Sequence, residues 1–377
     1  MIYTEIKYQP EQSKTYLGSP SIIRLTDGVL IASHDYFGSI KNLNNENGLT
    51  SIYRSEDDGK TWANITHIMD AFWGTLFTHN NVLYHISISQ EYGNVVIRRS
   101  DDNGFTWTVP IDEKHGLLFK AAPHRQNPNY HFGGATCIFV HKRRIYKALE
   151  DFISIPNGPV WRPDLFQASV ISVPEDADLL DASSWTMSNK LRFDYKQIDD
   201  ESIAILGSGW LEGTITADPN DNVKMLMRVH LQQPNKAAII SVSDDGKKIN
   251  FNCKTGIIDF IGGHSKYTVR RDPVTGIYFS VTNYVSKEAF PTRRNTLMLA
   301  SSKDLIHWKI VANLLKDESG LEPEYSAILT GFQYPDWQFD GEDIIYIVRT
   351  AYRGAHTFHD SNRITYHVLK NFRNILK

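Results

Sequence analysis

One pattern occurs twice in this sequence, and it constrains the fold more than any bulk property. Ser55-Glu56-Asp57-Asp58-Gly59-Lys60-Thr61-Trp62 and Ser100-Asp101-Asp102-Asn103-Gly104-Phe105-Thr106-Trp107 both read S-x-D-x-G-x-T-W. Each copy follows a β-rich run, residues 50–54 and 94–99. In such a turn the Ser and Asp side chains hydrogen-bond backbone amides, and Gly supplies a positive φ. The terminal Trp is expected to fill the space between neighbouring sheets. Weaker copies follow. Ser302-Lys303-Asp304-Leu305-Ile306-His307-Trp308 keeps Ser, Asp and Trp without the Gly; Ser243-Asp244-Asp245-Gly246-Lys247 keeps the turn without the Trp. Residues 178–185 keep an Asp, a Leu and Trp185.

A second periodicity lies upstream of these turns. Six times, two β-rich runs flank a polar turn: residues 21–25 and 29–33, 74–78 and 82–86, 135–140 and 145–149, 213–217 and 223–227, 267–270 and 277–281, and 336–339 and 344–348. Repeats of this length mean that each unit buries its apolar face only against its neighbours. Six hairpins, each followed by a further hairpin, make six four-stranded sheets, and radial packing protects their edges. The expected fold is all-β, a six-bladed β-propeller spanning residues 1–377 as one domain. Residues 2–8 are expected to supply the outer strand that closes the ring. Seven blades is the alternative, because the stretch from Trp185 to Gly209 has no assigned strand.

The repeated turn resembles the Asp-box, or BNR repeat, of the sialidase superfamily, and the resemblance extends to individual residues. That family uses a tyrosine nucleophile paired with a glutamate, an arginine triad that holds the substrate carboxylate, and an aspartate acid/base. Tyr334-Pro335-Asp336-Trp337-Gln338 looks like the nucleophile strand; Glu212 begins the fourth inner strand, where the family places its glutamate. Arg228 ends the next strand, as the second triad arginine does, and Arg294 matches the approach to the third. Two departures mark the chain as divergent. The family's first arginine falls where this chain has Leu17-Gly18-Ser19-Pro20-Ser21, and the acid/base aspartate falls where it has Asn45 and Glu46. Asp35 is the available carboxylate nearby.

Independently of any family, the propeller topology brings the starts of the inner strands and the ends of the second strands to one funnel. The starts contribute Trp73, His131, Glu212, His264 with Lys266, and Tyr334 with Asp336. The ends contribute His34 with Asp35, Glu150 with Asp151, Arg228, Asn283 and Arg349. A set this polar belongs beside water or a ligand rather than in a core. The segment from Arg349 to Asp360, with His356 and His359, is expected to loop over the funnel.

Composition narrows the partners. A net charge of −3 argues against nucleic acid, and 12% aromatic residues, with 8 Trp and 18 Tyr, suit carbohydrate. Two cysteines make no disulfide framework or metal-ligand spacing. No apolar run approaches a membrane span. No cofactor, metal or membrane partner is expected. The N-terminus has no visible signal peptide, which reads as cytoplasmic, or as secreted or periplasmic if a leader has been removed.

Three functions follow. The first is a sialidase-type glycosidase acting on an acidic or modified sugar at a glycan terminus. Tyr334 would be nucleophile, Glu212 its base and Asp35 the acid/base, with Arg228, Arg294, Arg349, Trp73, His131, Lys266 and Asp336 as substrate contacts. The second is a polysaccharide lyase on uronate glycans, using His131, Tyr334 and Arg228 or Arg349. The third is a glycan-binding propeller without catalysis.

Overall fold

The computed structural model describes residues 3–38, 48–123, 126–134, 136–155, 161–198, 202–285 and 293–376. These residues form six antiparallel sheets. Blade one contains Thr15–Arg24, Leu30–Gly38, Leu49–Ser55 and Ala63–Met69. Blade two contains Phe72–His79, Val82–Ile88, Val95–Ser100 and Leu117–Phe119. In blade three the inner strand is split into Tyr130–His131 and Phe139–His141, followed by Arg144–Phe152, Phe166–Pro174 and a broken outer strand. Blade four runs Gly209–Ala217, Val223–His230 and Lys236–Val242, again with a broken outer edge. Blade five is Thr268–Arg271, Tyr278–Asn283, Thr296–Ser302 and Trp308–Lys316. Blade six is Gly331–Asp340, Asp343–Ala351 and Arg363–Leu369, completed by the N-terminal strand Thr4–Tyr8.

The stretch after Trp185 is therefore no seventh blade. Thr186–Met187 and Leu191–Arg192 pair with Phe166–Pro174 as the outer edge of blade three. No helix among the described residues is long and apolar enough to cross a membrane.

Six of the apolar clusters each span one junction between adjacent blades. Leu25, Ile31 and Ile52 of blade one meet Leu76 and Leu83 of blade two; Phe279 and Leu299 of blade five meet Trp337 and Tyr346 of blade six. The last junction joins blade six to blade one through Ile345, Ile364, Leu17 and Ile22. The core is thus a ring of interfaces, and each sheet is stable only between its neighbours.

The turn tryptophans occupy these junctions, each reaching back to the preceding blade. Trp62 packs on Tyr366 of blade six at 5.6 Å between centroids, and Trp308 on Phe260 of blade four at 4.8 Å. Trp107 joins the cluster between blades one and two. The turn fixes each ring by the same contact: the indole N–H donates to the carbonyl three residues back, Gly59, Gly104 or Leu305. Asp57, Asp102 and Asp304 accept from turn amides two to four residues ahead. At Leu305 the backbone keeps a φ of 69° although the glycine is gone. Turn chemistry, not glycine alone, holds that conformation.

Closure rests on Thr4–Tyr8, of which Ile6 is the buried residue. Ile6→Ala should cost about 2–4 kcal/mol in urea unfolding, as expected for a truncated core isoleucine. Glu5→Ala, which removes only a surface pair with Arg363, should cost less than about 1 kcal/mol. Equal costs would mean that the closing strand is held by its rim rather than by its core contact.

Candidate active site

Four inner strands slip register where they enter the funnel: between Leu17 and Pro20, Phe72 and Thr75, Leu211 and Thr214, and Gln333 and Asp336. Such a bulge inserts an unpaired residue and re-aims its side chain. The first inserted residues are Gly18, Trp73, Glu212 and Tyr334. Trp73, Glu212 and Tyr334 sit at φ 49°, 59° and 48°, a left-handed backbone that costs a non-glycine residue roughly 1–2 kcal/mol. The strain points three large side chains into one cavity of about 500 Å³.

Tyr334 and Glu212 meet there. The Tyr334 hydroxyl donates to Glu212 Oε1 at 2.8 Å, and Arg228 Nη1 donates to Glu212 Oε2 at 2.7 Å. The Arg228 fork is held in turn by the His264 carbonyl through Nε and by His230 Nε2 through Nη2. Burial pushes the Glu212 carboxyl up, but Arg228, helped by Lys266 and His131, more than offsets it, so Glu212 is held below the usual carboxylate range. Burial and the neighbouring Glu212 charge raise the Tyr334 phenol against the pull of Arg228, Arg294 and Arg349. At neutral pH the pair is a phenol donating to a carboxylate.

Blade three makes room for this pair. Its strand passes so close that a Cβ at Gly133 would lie 2.2 Å from Glu212 Cγ, and one at Gly134 would lie 2.8 Å from Tyr334 Cδ1.

Two further guanidiniums complete the cationic wall. Arg294 donates to Gln333 and lies over Phe358, 5.7 Å from the ring centroid. Burial, then Arg228, lowers its pKa to about 10. Arg349 donates to Ser361 Oγ and the His359 carbonyl, and its guanidinium lies 5.0 Å from the Tyr334 centroid and 4.3 Å from that of Phe37. Three arginines thus surround the phenol, with Arg349 of blade six present although Gly18 stands in the first strand.

Asp35 lines the cavity, yet its oxygens accept the amides of Ser19 at 2.7 Å and Trp73 at 2.6 Å. The carboxylate thus braces two backbone segments at the cavity wall, with an N–H on each oxygen, in place of the open position expected of an acid/base. Gly18 is the other side of that arrangement, because a Cβ there would fall 1.5 Å from Asp35 Oδ1. Asn45 and Glu46 lie outside the described residues.

Trp73 and His131 also line the cavity, their rings 4.3 Å apart edge to face. Two expected contacts do not. Lys266 is buried and donates to the Tyr267 carbonyl; Asp336 is buried against Ser21 Oγ, the Ile22 amide and Arg270. Both belong to the packing below the cavity: past the bulge the strand changes face, and Asp336 reaches into blade one. The His356 and His359 rings turn to Asp360.

Sequence reasoning missed Glu91, Tyr92, Trp161, His230 and Phe37 in the lining. Glu91 and Tyr92 lie on the turn after Ile88, and Trp161 precedes Phe166–Pro174. Phe37 and His230 stand two residues beyond Asp35 and Arg228 on the same second strands, where strand alternation is the usable signal; Glu91, Tyr92 and Trp161 come from loops.

The Glu212–Arg228 pair carries a linkage sign. The folded pKa of Glu212 lies below its unfolded value near 4.3, so its stabilisation is present above that value and disappears as pH falls through the folded one. Glu212→Gln should cost about 3 kcal/mol or more at neutral pH, since Arg228 is left buried without its counter-charge. In urea midpoints that difference should shrink below about pH 4. A pH-independent difference would show that the pair contributes nothing by charge.

No protein-family model and no curated protein matches this chain. Solved structures do. An α-L-arabinanase from Penicillium chrysogenum, complexed with arabinobiose, matches with a TM-score of 0.61 at 13% identity, covering 98% of each chain. An α-L-arabinofuranosidase from Fusarium graminearum with an iminosugar inhibitor gives 0.60 at 12%, covering 100% of this chain and 99% of that one. A Trypanosoma rangeli sialidase in complex with sialic acid gives 0.59 at 14%, covering 96% of this chain and 55% of that one. At these identities the likeness shows the fold: a six-bladed propeller of the kind found in sialidases and arabinan-degrading enzymes.

Proposed function

We propose that this protein is a glycoside hydrolase that removes an acidic or otherwise modified sugar from a glycan terminus. The observation that carries the reading is the Tyr334 hydroxyl donating to Glu212 at 2.8 Å in a cavity walled by Arg228, Arg294 and Arg349. A neutral phenol approaches an anomeric carbon that bears a carboxylate with less repulsion than a carboxylate nucleophile would. Glu212 accepts its proton as the oxygen–carbon bond forms. Arg228 is committed to Glu212, His230 and the His264 carbonyl, so it orients the base. Arg294 and Arg349 are the clamp for the sugar acid, through charge-assisted hydrogen bonds. The likeness to an arabinanase, an arabinofuranosidase and a sialidase agrees with a carbohydrate substrate and an O-glycosidic bond.

Tyr334→Phe should keep the fold and lower kcat by roughly 10³-fold or more. Arg349→Ala should raise KM about 10–100-fold on sugar acids and leave KM on the matching neutral sugars unchanged. A panel of aryl sialosides, uronides and arabinofuranosides measures both. Turnover confined to neutral arabinofuranosides would discard the acidic substrate and keep the hydrolase. Full activity in Tyr334→Phe would discard the mechanism.

One observation favours a second reading, a lyase on uronate glycans: His131, hydrogen-bonded to Glu150, lines the same cavity as Tyr334. A lyase product carries a conjugated double bond, so ultraviolet absorbance rising during digestion of a uronate polymer would select it.

A further inference from the structure

The reaction proposed above needs a proton for the departing oxygen, and Asp35 is poorly placed to give one, with amide N–H groups on both carboxylate oxygens. The same cavity is lined by a differently built group: the Trp73 amide meets Asp35, and the Trp73 ring meets His131. His131 Nδ1 sits 2.8 Å from Glu150 Oε2, and Glu150 Oε1 accepts the Gly213 amide at 3.0 Å. A carboxylate at Nδ1 places the proton there and fixes the tautomer, which leaves Nε2 as the nitrogen that exchanges a proton. The ring cannot swing away. It is 5% exposed, with Trp73 at 4.3 Å and Phe166 at 5.0 Å, both edge to face. Glu150 also ties this ring to the strand that carries Glu212, through the amide of the next residue. The glycines that follow, Gly133 and Gly134, bring the same strand against Glu212 and Tyr334.

We infer that His131, oriented by Glu150, is the acid/base of this site: its Nε2 protonates the leaving oxygen and later takes a proton from water. The inference rests on the hydrolase reading. In the first step the bond from the anomeric carbon to the leaving oxygen breaks, the bond from the anomeric carbon to Tyr334 Oη forms, the phenol proton passes to Glu212, and the imidazolium proton passes to the leaving group. In the second, the bond from the anomeric carbon to Tyr334 Oη breaks as water adds its oxygen there and gives a proton to Nε2, while the released phenolate recovers its proton from Glu212. Protons and electron pairs balance without a co-reactant. His131 is the catalytic residue here and Glu150 a positioning residue.

Leaving-group dependence tests this with the full-length protein. The probes are two glycosides of whichever sugar the wild-type protein turns over: the 2,4-dinitrophenyl glycoside, whose leaving group departs as an anion, and the methyl glycoside, whose leaving group must be protonated. His131→Asn keeps an N–H for Glu150 and has no titratable nitrogen. Its kcat/KM should fall about 10²–10⁴-fold on the methyl glycoside and less than about tenfold on the dinitrophenyl one. Azide should restore turnover of the dinitrophenyl probe in His131→Ala and give a glycosyl azide. Should His131→Asn not fold, His131→Gln is read in the same way. Equal losses on both probes, or none on either, overturn the role of His131 while leaving the hydrolase intact. A wild-type protein idle on every glycoside overturns the hydrolase reading, and this inference with it.

Discussion

The site depends on one extra residue in each of several inner strands. Without the bulge, side chains along these strands would alternate between the two blade junctions, and none of the large ones would face the axis end-on. With it, residues 73, 212 and 334 turn through left-handed backbone into a common space. The cost of that conformation is carried by the ring. Blades clamped on both sides by apolar clusters have no relaxed alternative for a strained inner strand, and closure by Thr4–Tyr8 removes the free edge through which one could open.

Charge at the centre is arranged against the same constraint. Glu212, Tyr334, Arg228, Arg294 and Arg349 are brought together around one cavity. Burial acts on each group in the direction of its neutral form, and only Glu212 and Arg228 overcome it, because they face each other. Arg294 remains depressed by burial and by Arg228, and Arg349 by burial against the pull of Tyr334, Asp35 and Asp360. The hydrogen bonds of both guanidiniums go to neutral groups: Arg294 donates to Gln333, and Arg349 to Ser361 and the His359 carbonyl. One ion pair is committed to holding Glu212 beside Tyr334, and two cations remain on the cavity wall, which is the arrangement the proposed sugar-acid clamp relies on.

Much of this was legible in the sequence, for physical reasons that differ by residue. The turn pattern at Ser55 and Ser100 fixes a local geometry that needs no tertiary context, so it could be read directly, and the separate run–turn–run periodicity upstream let the hairpins be counted. Even Leu305 in place of glycine left Ser302, Asp304 and Trp308 as guides. Tyr334, Glu212, Arg228 and Arg349 could be placed because strand starts and strand ends converge by topology, whereas the family resemblance alone points to Arg294. Depth could not be read. Asp336 stands two residues beyond Tyr334, which in a regular strand would share its face, and the bulge between Gln333 and Asp336 breaks that rule. Lys266 fails likewise, since a strand start says nothing of how far a side chain sinks toward the axis. Glu91, Tyr92 and Trp161 reach the cavity from loops whose course is set by packing, and no local pattern announces them.

The carboxylates at the second-strand ends show how the same position acquires different chemistry. A bulge leaves backbone amides without ladder partners, and a buried amide requires an acceptor. In blade one, Asp35 meets this need with both oxygens, bridging the amides of Ser19 and Trp73 and occupying the space that Gly18 leaves empty. In blade three, the longer Glu150 meets it with one oxygen at Gly213 and has the other free for His131. The difference is one methylene and one histidine. It turns a structural cap into a group that can orient a proton-transferring ring, so the acid/base is better sought where the bulge amides need only half of a carboxylate.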